Sequence, residues 1–470
     1  MKTIDLQKQV PVAGDYDVVV CGGGPAGFIA AIAAARGGAR TALVERYGFL
    51  GGMATAGFVA PLSVFTYNGE KVIGGIPWEF IERLQGMGGG LIEKPLGNVA
   101  FEPELYKLCC QRMALEAGVS LHLHSYLSGA VVRDGRISAV IVESKSGTRA
   151  IRGKVFIDCT GDADLAAAAG VPMQESEGRP LQPLSSYFIL SGVDTSTPRM
   201  QVAIHHNRQG VNCQCEEIRA ELLAHREEWG LPEFGGPWFC TTLQPGTVTV
   251  NMTRTAADAT SEEDLTRAEC SLREQAFHMA GVLKEHFPEF RDSYVSAVSV
   301  QAGIRESRRI KGAHTVTGQE YVSAFHYPDS VSRGAHPIDI HVASGPAQDV
   351  TFLKSPAFVP YRALYAPDFA NLLVAGRCIS ADKTAFASLR VQASCMGTGQ
   401  AAGVAAAMAA AACGDAACDD AACDASAADV RTVDTAALIS RLRDMGAVLP
   451  RGAQPSEPKR CKQNQQLIDI

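Results

Sequence analysis

The chain has 470 residues, of which 46 % are hydrophobic and 20 % charged, with a formal net charge of −7 at pH 7 and 14 cysteines. That length supports a large core and two or three domains, and the composition is that of an ordinary globular protein. The acidic balance, with no basic run, argues against a nucleic-acid partner and against an anionic membrane surface. The polar start lacks the apolar core of an export signal, and the most apolar stretch, 399–413, is shorter than the roughly 20 residues needed to span a bilayer. A cytoplasmic, reducing compartment is therefore expected, with no membrane span and scattered thiols rather than disulfides. No Cys-x-x-Cys occurs, which counts against a flavin–disulfide reductase of the usual spacing.

In chain order, residues 17–36 form an apolar strand, a glycine turn and an alanine-rich helix, followed by a second strand over 40–45 that ends in Glu45. This order builds a dinucleotide site. Gly22 allows the tight turn, Gly24 lets backbone approach phosphate oxygens, and Gly27 lets the helix pack on its strand. The helix begins near Pro25 and Ala26, so its unpaired N–H groups face the pyrophosphate. Glu45 is placed to accept from a ribose diol.

Short strands are expected at 119–124, 128–133, 136–143 and 149–158, with hairpin turns at Gly135 and Gly147. The last of them runs into Cys-Thr-Gly-Asp-Ala-Asp164 and an alanine helix. His122 and His124 share a strand face, but no third metal ligand is near in sequence. From 171 to about 355 the character changes. Strand-like runs at 185–193, 247–253 and 294–301 alternate with charged helices, one of which spans 261–286 and is opened by the capping residue Ser261. This reads as an inserted α+β substrate or cap domain. A buried strand at 371–376 and a helix over 392–413 return to the first domain. The cysteine-bearing stretch 413–423 reads as part of a solvated, flexible connection, and 449–470 as a poorly ordered tail. The expected domains are 15–170 (nucleotide-binding, first part), 171–355 (inserted), 356–412 (returning part) and 413–470 (C-terminal extension).

Four collinear blocks between about 15 and 412 resemble the FAD-dependent oxidoreductase family, a branch of the glutathione-reductase-like flavoproteins related in fold to the succinate dehydrogenase/fumarate reductase group. They are Cys-Gly-Gly-Gly-Pro-Ala-Gly27 with Glu45-Arg-Tyr-Gly-Phe-Leu-Gly-Gly-Met-Ala-Thr55; Phe156-Ile-Asp-Cys-Thr-Gly-Asp-Ala-Asp164; Gly303-Ile-Arg-Glu-Ser-Arg-Arg309 with His336-Pro-Ile-Asp-Ile-His341; and Val359-Pro-Tyr-Arg-Ala-Leu364 with Val374-Ala-Gly-Arg-Cys-Ile-Ser380 and 390–403. The resemblance implies an α/β fold in which a discontinuous Rossmann-like FAD-binding domain carries the inserted domain, and it implies noncovalently bound FAD. It assigns Arg46, Gly51, Gly52, Met53, Ala54 and Thr55 to a segment beside the flavin, and Thr160, Gly161 and Asp162 to the nucleotide crevice. Gly397, Thr398 and Gly399 are assigned to a helix start that either presses on the isoalloxazine, where its dipole would stabilise reduced flavin, or packs on another helix. Gly376-Arg377 departs from the Gly-Asp of many relatives, which leaves the role of Arg377 open.

A flavin supplies the hydride chemistry, so the protein needs only to position substrate and move protons. His341 is the first candidate for acid–base work. Arg305, Arg308 and Arg309 form a basic cluster that can fork onto a substrate carboxylate, or else pair with Glu306 or domain-interface acids; Arg390 and Asp339 follow. Three functions are consistent with this: hydride transfer between FAD and a small organic substrate, as dehydrogenase or reductase; reduction of an unsaturated carboxylate in the manner of fumarate reductase; and a non-catalytic FAD-binding or tRNA-modification subunit. No second glycine fingerprint follows a strand, so the electron partner is not a dedicated nicotinamide domain. A quinone, another redox protein, oxygen, transient nicotinamide and homo-oligomerisation all remain open.

Overall fold

The computed structural model describes residues 4, 7–93, 97–174, 180–204, 216–341, 348–413 and 428–449. Its centre is a seven-stranded sheet. Four strands, Ser120–His122, Thr41–Val44, Val12–Cys21 and Gly147–Asp158, run parallel in that spatial order, and Leu372–Val374 extends them. Runs such as Val18-Val19-Val20 are solvent-free, as expected for strands covered on both faces.

The strand Gly147–Asp158 serves two roles. Its first half pairs antiparallel with Arg136–Ser144, which pairs in turn with Tyr126–Arg133, while its second half pairs parallel with Leu372–Val374. The late strand, more than 200 residues downstream in sequence, thereby returns to the nucleotide-binding sheet. The hairpins turn at Gly135 and Gly147, both at positive φ.

The helices Pro25–Arg36 and Gln392–Ala411 pack together through small residues. A Cβ added at Gly399 would lie 2.2 Å from Ala26 O, and one at Gly403 would lie 2.2 Å from Ala30 O. A second, four-stranded antiparallel sheet is built from Trp238–Thr241, Thr247–Asn251, Phe188–Ser191 and Tyr294–Val298. The helix Glu262–His286 is opened by Ser261, whose Oγ accepts from Asp264 N. Phe188, Phe239, Leu283 and Phe290 belong to this sheet's own core.

The larger core also takes in residues from two later stretches of the chain. Ile310, Val316, Tyr321, Val331, Ile338 and Leu353 join the larger core rather than that of the second sheet. Val430, Leu438 and Leu442 pack there too, so the helix Thr435–Asp444 is joined to the larger core. The stretch 414–427, with Cys418 and Cys423, and the tail from 450 lie outside the described residues. Among the described residues no helix is long and apolar enough to cross a membrane, and no group of His, Cys, Asp or Glu could hold a metal. His122 meets Tyr16 OH, 3.1 Å away.

Candidate functional site

The carboxyl ends of the parallel strands open onto a cleft, where Cys21, Val44, Cys159 and Ala375 form part of the wall. Open α/β sheets bind ligands at this edge. Gly22, Gly24, Pro25 and Ala26 line it, and the three glycines of the turn have different jobs. Gly22 has φ +95°, and a Cβ there would meet Cys159 O at 2.4 Å. A Cβ on Gly27 would lie 1.7 Å from Gly22 O, so this glycine is demanded by the fold. At Gly24 the nearest atom to an added Cβ is Gly52 Cα at 3.7 Å. The protein leaves that space open on the cleft side.

The helix N-terminus there has neither a side-chain cap nor an acid in its first turn, so its N–H groups remain available to an anion. Glu45 is buried. It accepts from Gly23 N at 2.6 Å and Tyr47 N at 2.9 Å, and burial raises its pKa against those two donors. Arg46 and Tyr47 both donate to Gln301 Oε1 across the mouth of the cleft. Asp158, fully buried, accepts from Thr160 N, Thr160 Oγ1 and Ala166 N; it holds the Thr160–Gly161 turn that lines the cleft. Asp164, also on the wall, has its pKa pushed up to about 6, first by burial and then by Asp162 and Asp158.

A second cavity adjoins the first, and Met53 and Arg377 line both. Buried Arg377 Nη1 makes no hydrogen bond and lies 3.3 Å from Asp162 Oδ1. Asp162 also accepts from Ser307 Oγ at 2.6 Å; it anchors Arg377 from behind and does not itself form wall. An uncapped helix start, open space above Gly24 and a guanidinium nitrogen with unused capacity together fit a diphosphate joined to a ring system reaching the second cavity.

That second cavity draws its polar groups from distant segments. His341 Nδ1 accepts from Arg254 Nη2 at 2.9 Å, and its Nε2 donates to Asp339 Oδ2 at 3.1 Å. Burial, reinforced by Arg305, lowers the pKa of His341 to about 3, so the ring is neutral. Asp339 also pairs with Arg390 Nη2 at 3.3 Å. Burial disfavours its charge, but His341 and Arg390 hold the carboxyl well below its usual range. Arg305 Nη1 donates to Pro183 O and Ser185 Oγ, both at 2.7 Å and both uncharged; burial lowers its pKa to about 10. Trp238 stands edge-on to His341, with centroids 5.8 Å apart.

Of the residues singled out in sequence, Gly22, Gly24, Pro25, Ala26, Glu45, Arg46, Gly52, Met53, Thr160, Gly161, Gly376 and Arg377 lie on the cleft wall, and Arg305 and His341 on the second cavity. Others do not. Gly51 approaches Thr55 and Tyr106; Ala54 and Thr55 are fully buried, with Thr55 Oγ1 donating to Leu50 O. Arg308 turns the other way, with Nε on Asp162 O at 2.8 Å and an ion pair to Asp164. Gly399 packs on the first helix, Gly397 abuts Ser332, and Thr398 Oγ1 accepts from Gly376 N. The helix begins at Gln392, so Gly397 lies well inside it and the cavity is met instead by Val391, Gln392 and Cys395. Sequence reasoning missed Tyr187, Trp238, Asn251 and Arg254. Each sits in or beside a short strand with nothing next to it to signal chemistry.

The model of the family described as FAD dependent oxidoreductase matches residues 17–415. Dihydrolipoyl dehydrogenase of Trypanosoma brucei brucei is 60 % identical over 42 residues, 9 % of this chain and 9 % of that protein. Digeranylgeranylglycerophospholipid reductase 1 of Methanopyrus kandleri is 28 % identical over 174 residues, 35 % of this chain and 44 % of that protein. The chain thus spans less than half the length of these curated relatives. Among solved structures, a geranylgeranyl bacteriochlorophyll reductase-like protein from Thermoplasma acidophilum superposes with a TM-score of 0.42 at 13 % identity, covering 84 % of this chain and 78 % of that one. The flavin-dependent brominase Bmp2 gives 0.43 at 15 % identity, covering 92 % and 83 %.

Proposed function

Because the chain belongs to the FAD dependent oxidoreductase family and is an FAD enzyme, we propose that it moves hydride between FAD and a small organic molecule seated in the second cavity. The observation that carries this reading is the shared wall: Met53 and Arg377 belong to both the dinucleotide cleft and the cavity of Arg305, Asp339 and His341. FAD, when bound, supplies a two-electron acceptor or donor at its isoalloxazine. The chain's own residues do the rest. Gly22, Gly24 and the first helix start would hold the diphosphate and Glu45 the adenosine ribose, and Arg377 stands where the two spaces meet. We place the chain with the glutathione-reductase-like flavoproteins on the strand–turn–helix and the late returning strand. FAD is held noncovalently in this reading: Cys21, Cys159 and Cys395 line the cleft, but burial raises each thiol, to about 12 for Cys395, and a neutral thiol is a poor nucleophile.

A second reading, reduction of an unsaturated carboxylate, is favoured by Arg305. Its charge meets only neutral oxygens at hydrogen-bond distance among the described residues, and a substrate carboxylate would complete it. Arg390 Nε and Gln392 Oε1, buried with no partner, add unused polar capacity in the same cavity. Anaerobic photoreduction followed by a panel of enoates and carbonyl compounds, with alcohols and amines offered to the oxidised enzyme, separates the readings. Reoxidation by enoates alone supports the carboxylate reductase, and Arg305→Gln should then raise KM at least about tenfold with little change in FAD content. Bleaching of oxidised flavin by an alcohol or amine supports a dehydrogenase. A flavin that no compound oxidises or reduces contradicts both.

A further inference from the structure

Two histidines line the second cavity, His336 and His341. They lie at opposite sides of a short run that includes the strand Ile338–His341, and their hydrogen bonds differ in kind. Both ring nitrogens of His341 are committed, one to a guanidinium donor and one to a carboxylate acceptor. For that ring to take part in proton transfer with a substrate it would have to abandon one of them. His336 is arranged otherwise. Its Nδ1 lies 2.7 Å from Pro337 O, and a carbonyl only accepts, so Nδ1 carries the proton. In the neutral ring Nε2 is then the lone-pair nitrogen, and among the described residues it has no hydrogen-bond partner.

The ring is also held in place. Ser388 Oγ donates to His336 O at 2.6 Å, fixing the backbone from the neighbouring helix Lys383–Leu389, and Nδ1 fixes the imidazole plane. A general base needs an oriented ring, a set tautomer and an open nitrogen facing the reacting group.

We propose that His336, through Nε2, is the group that exchanges the proton with substrate in the second cavity, and that His341 is a positioning residue that orients Arg254 and Asp339. The proposal rests on the hydride-transfer reading above and names the acid–base partner that reading lacks. In the oxidation of an alcohol or amine, the C–H bond would break with its electron pair leaving as hydride, which FAD, when bound, would accept. The O–H or N–H proton passes to His336 Nε2, and a C=O or C=N bond forms. Reduction reverses both transfers, with protonated Nε2 returning the proton.

The charged groups facing His336 are Asp339, which favours its cation, and Arg390, which opposes it; burial is the larger influence and lowers its pKa below the ordinary imidazole value. The neutral base is therefore the form present at pH 7. Substrate oxidation should lose rate as pH falls through the acidic side of that range, and substrate reduction should gain it.

Three measurements on the FAD-loaded protein test this. In the first, diethylpyrocarbonate modification mapped by fragment mass spectrometry should mark His336 and spare His341. In the second, long-range proton–nitrogen correlation on histidine-labelled protein should show His336 as the Nδ1–H tautomer and His341 as Nε2–H. In the third, His336→Gln should slow flavin turnover with whichever compound reacts with wild type by a hundredfold or more at unchanged FAD content, and should abolish the pH-dependent limb, while His341→Gln keeps that limb. Modification of His341 but not His336 overturns the proposal, and so does a His336→Gln variant that retains rate and pH profile. If no compound exchanges hydride with the wild-type flavin, the hydride reading itself falls; the modification pattern and tautomers still decide whether Nε2 is the open nitrogen.

Discussion

Gly27→Ala should yield a protein that holds no flavin and melts well below wild type. The added Cβ would sit 1.7 Å from Gly22 O, with Gly22 C at 2.9 Å and Cys159 Cβ at 3.1 Å. The atom in the way is backbone, so no rotamer change relieves the clash; either the helix Pro25–Arg36 or the turn itself must move. The cost exceeds the about 1–3 kcal/mol of ordinary overpacking, because the displaced helix also carries the contacts to Gln392–Ala411 through Gly399 and Gly403. Gly24→Ala separates fold from cofactor. Its backbone is extended at φ −70° and its nearest neighbour is 3.7 Å away, so the apoprotein should melt near wild type. The methyl nevertheless occupies space on the cleft wall, and FAD affinity should fall at least about tenfold. Flavin stoichiometry and thermal melting of the two apoproteins check the pair. Full flavin content in Gly27→Ala at wild-type stability would contradict the packing argument.

Asp339→Asn should be the most destabilising single change in the second cavity. Asp339 Oδ2 takes bonds from His341 Nε2 and Arg390 Nη2 in a region with Arg254 and Arg305 close by. Removing the carboxylate strands buried guanidinium charge, a loss of about 3–5 kcal/mol. The pH dependence has a definite sign. The folded carboxyl titrates far below its ordinary value, so its stabilisation is fully present above the unfolded pKa of about 3.9 and fades only as pH falls below that. Chemical denaturation should therefore show an undiminished gap between wild type and Asp339→Asn from pH 7 down to pH 5. A gap under about 1 kcal/mol at pH 7, or one that closes by pH 5, would count against the buried pair.

The part of the site that could be read from sequence is the part made by neighbours in sequence. Gly22, Gly24, Gly27 and Glu45 lie within one strand–turn–helix–strand unit, where spacing fixes geometry. The hairpins at Gly135 and Gly147 were legible for the same reason. Gly397 to Gly399 were ambiguous because small residues serve close backbone approach whether the partner is a ligand or another helix; Gly399 lies against Ala26 O of the first helix, whereas Gly397 meets Ser332. Arg305 and Arg308 could not be told apart because their directions depend on an irregular segment, which sends one to Ser185 and the other to Asp164. The second cavity was least legible. Tyr187, Trp238, Arg254, Arg305, His336 and Arg390 come from six separate stretches, and nothing local announces that a fold will bring them together. His341 was found as a histidine, and Asp339 is its neighbour on the same strand, but its commitment to Arg254 depends on a partner 87 residues away in sequence.

The most direct test of the central claim, that the dinucleotide cleft opens into the arginine- and histidine-lined cavity, is the visible spectrum of the protein during titration with small carboxylates. A yellow protein with one FAD per chain, whose flavin bands shift saturably with the carboxylate and cease to shift in Arg305→Gln at unchanged FAD content, is the predicted result. A colourless protein that FAD cannot reconstitute would contradict the account at its root. A flavin spectrum indifferent to anything placed in the cavity would show that the two spaces do not communicate.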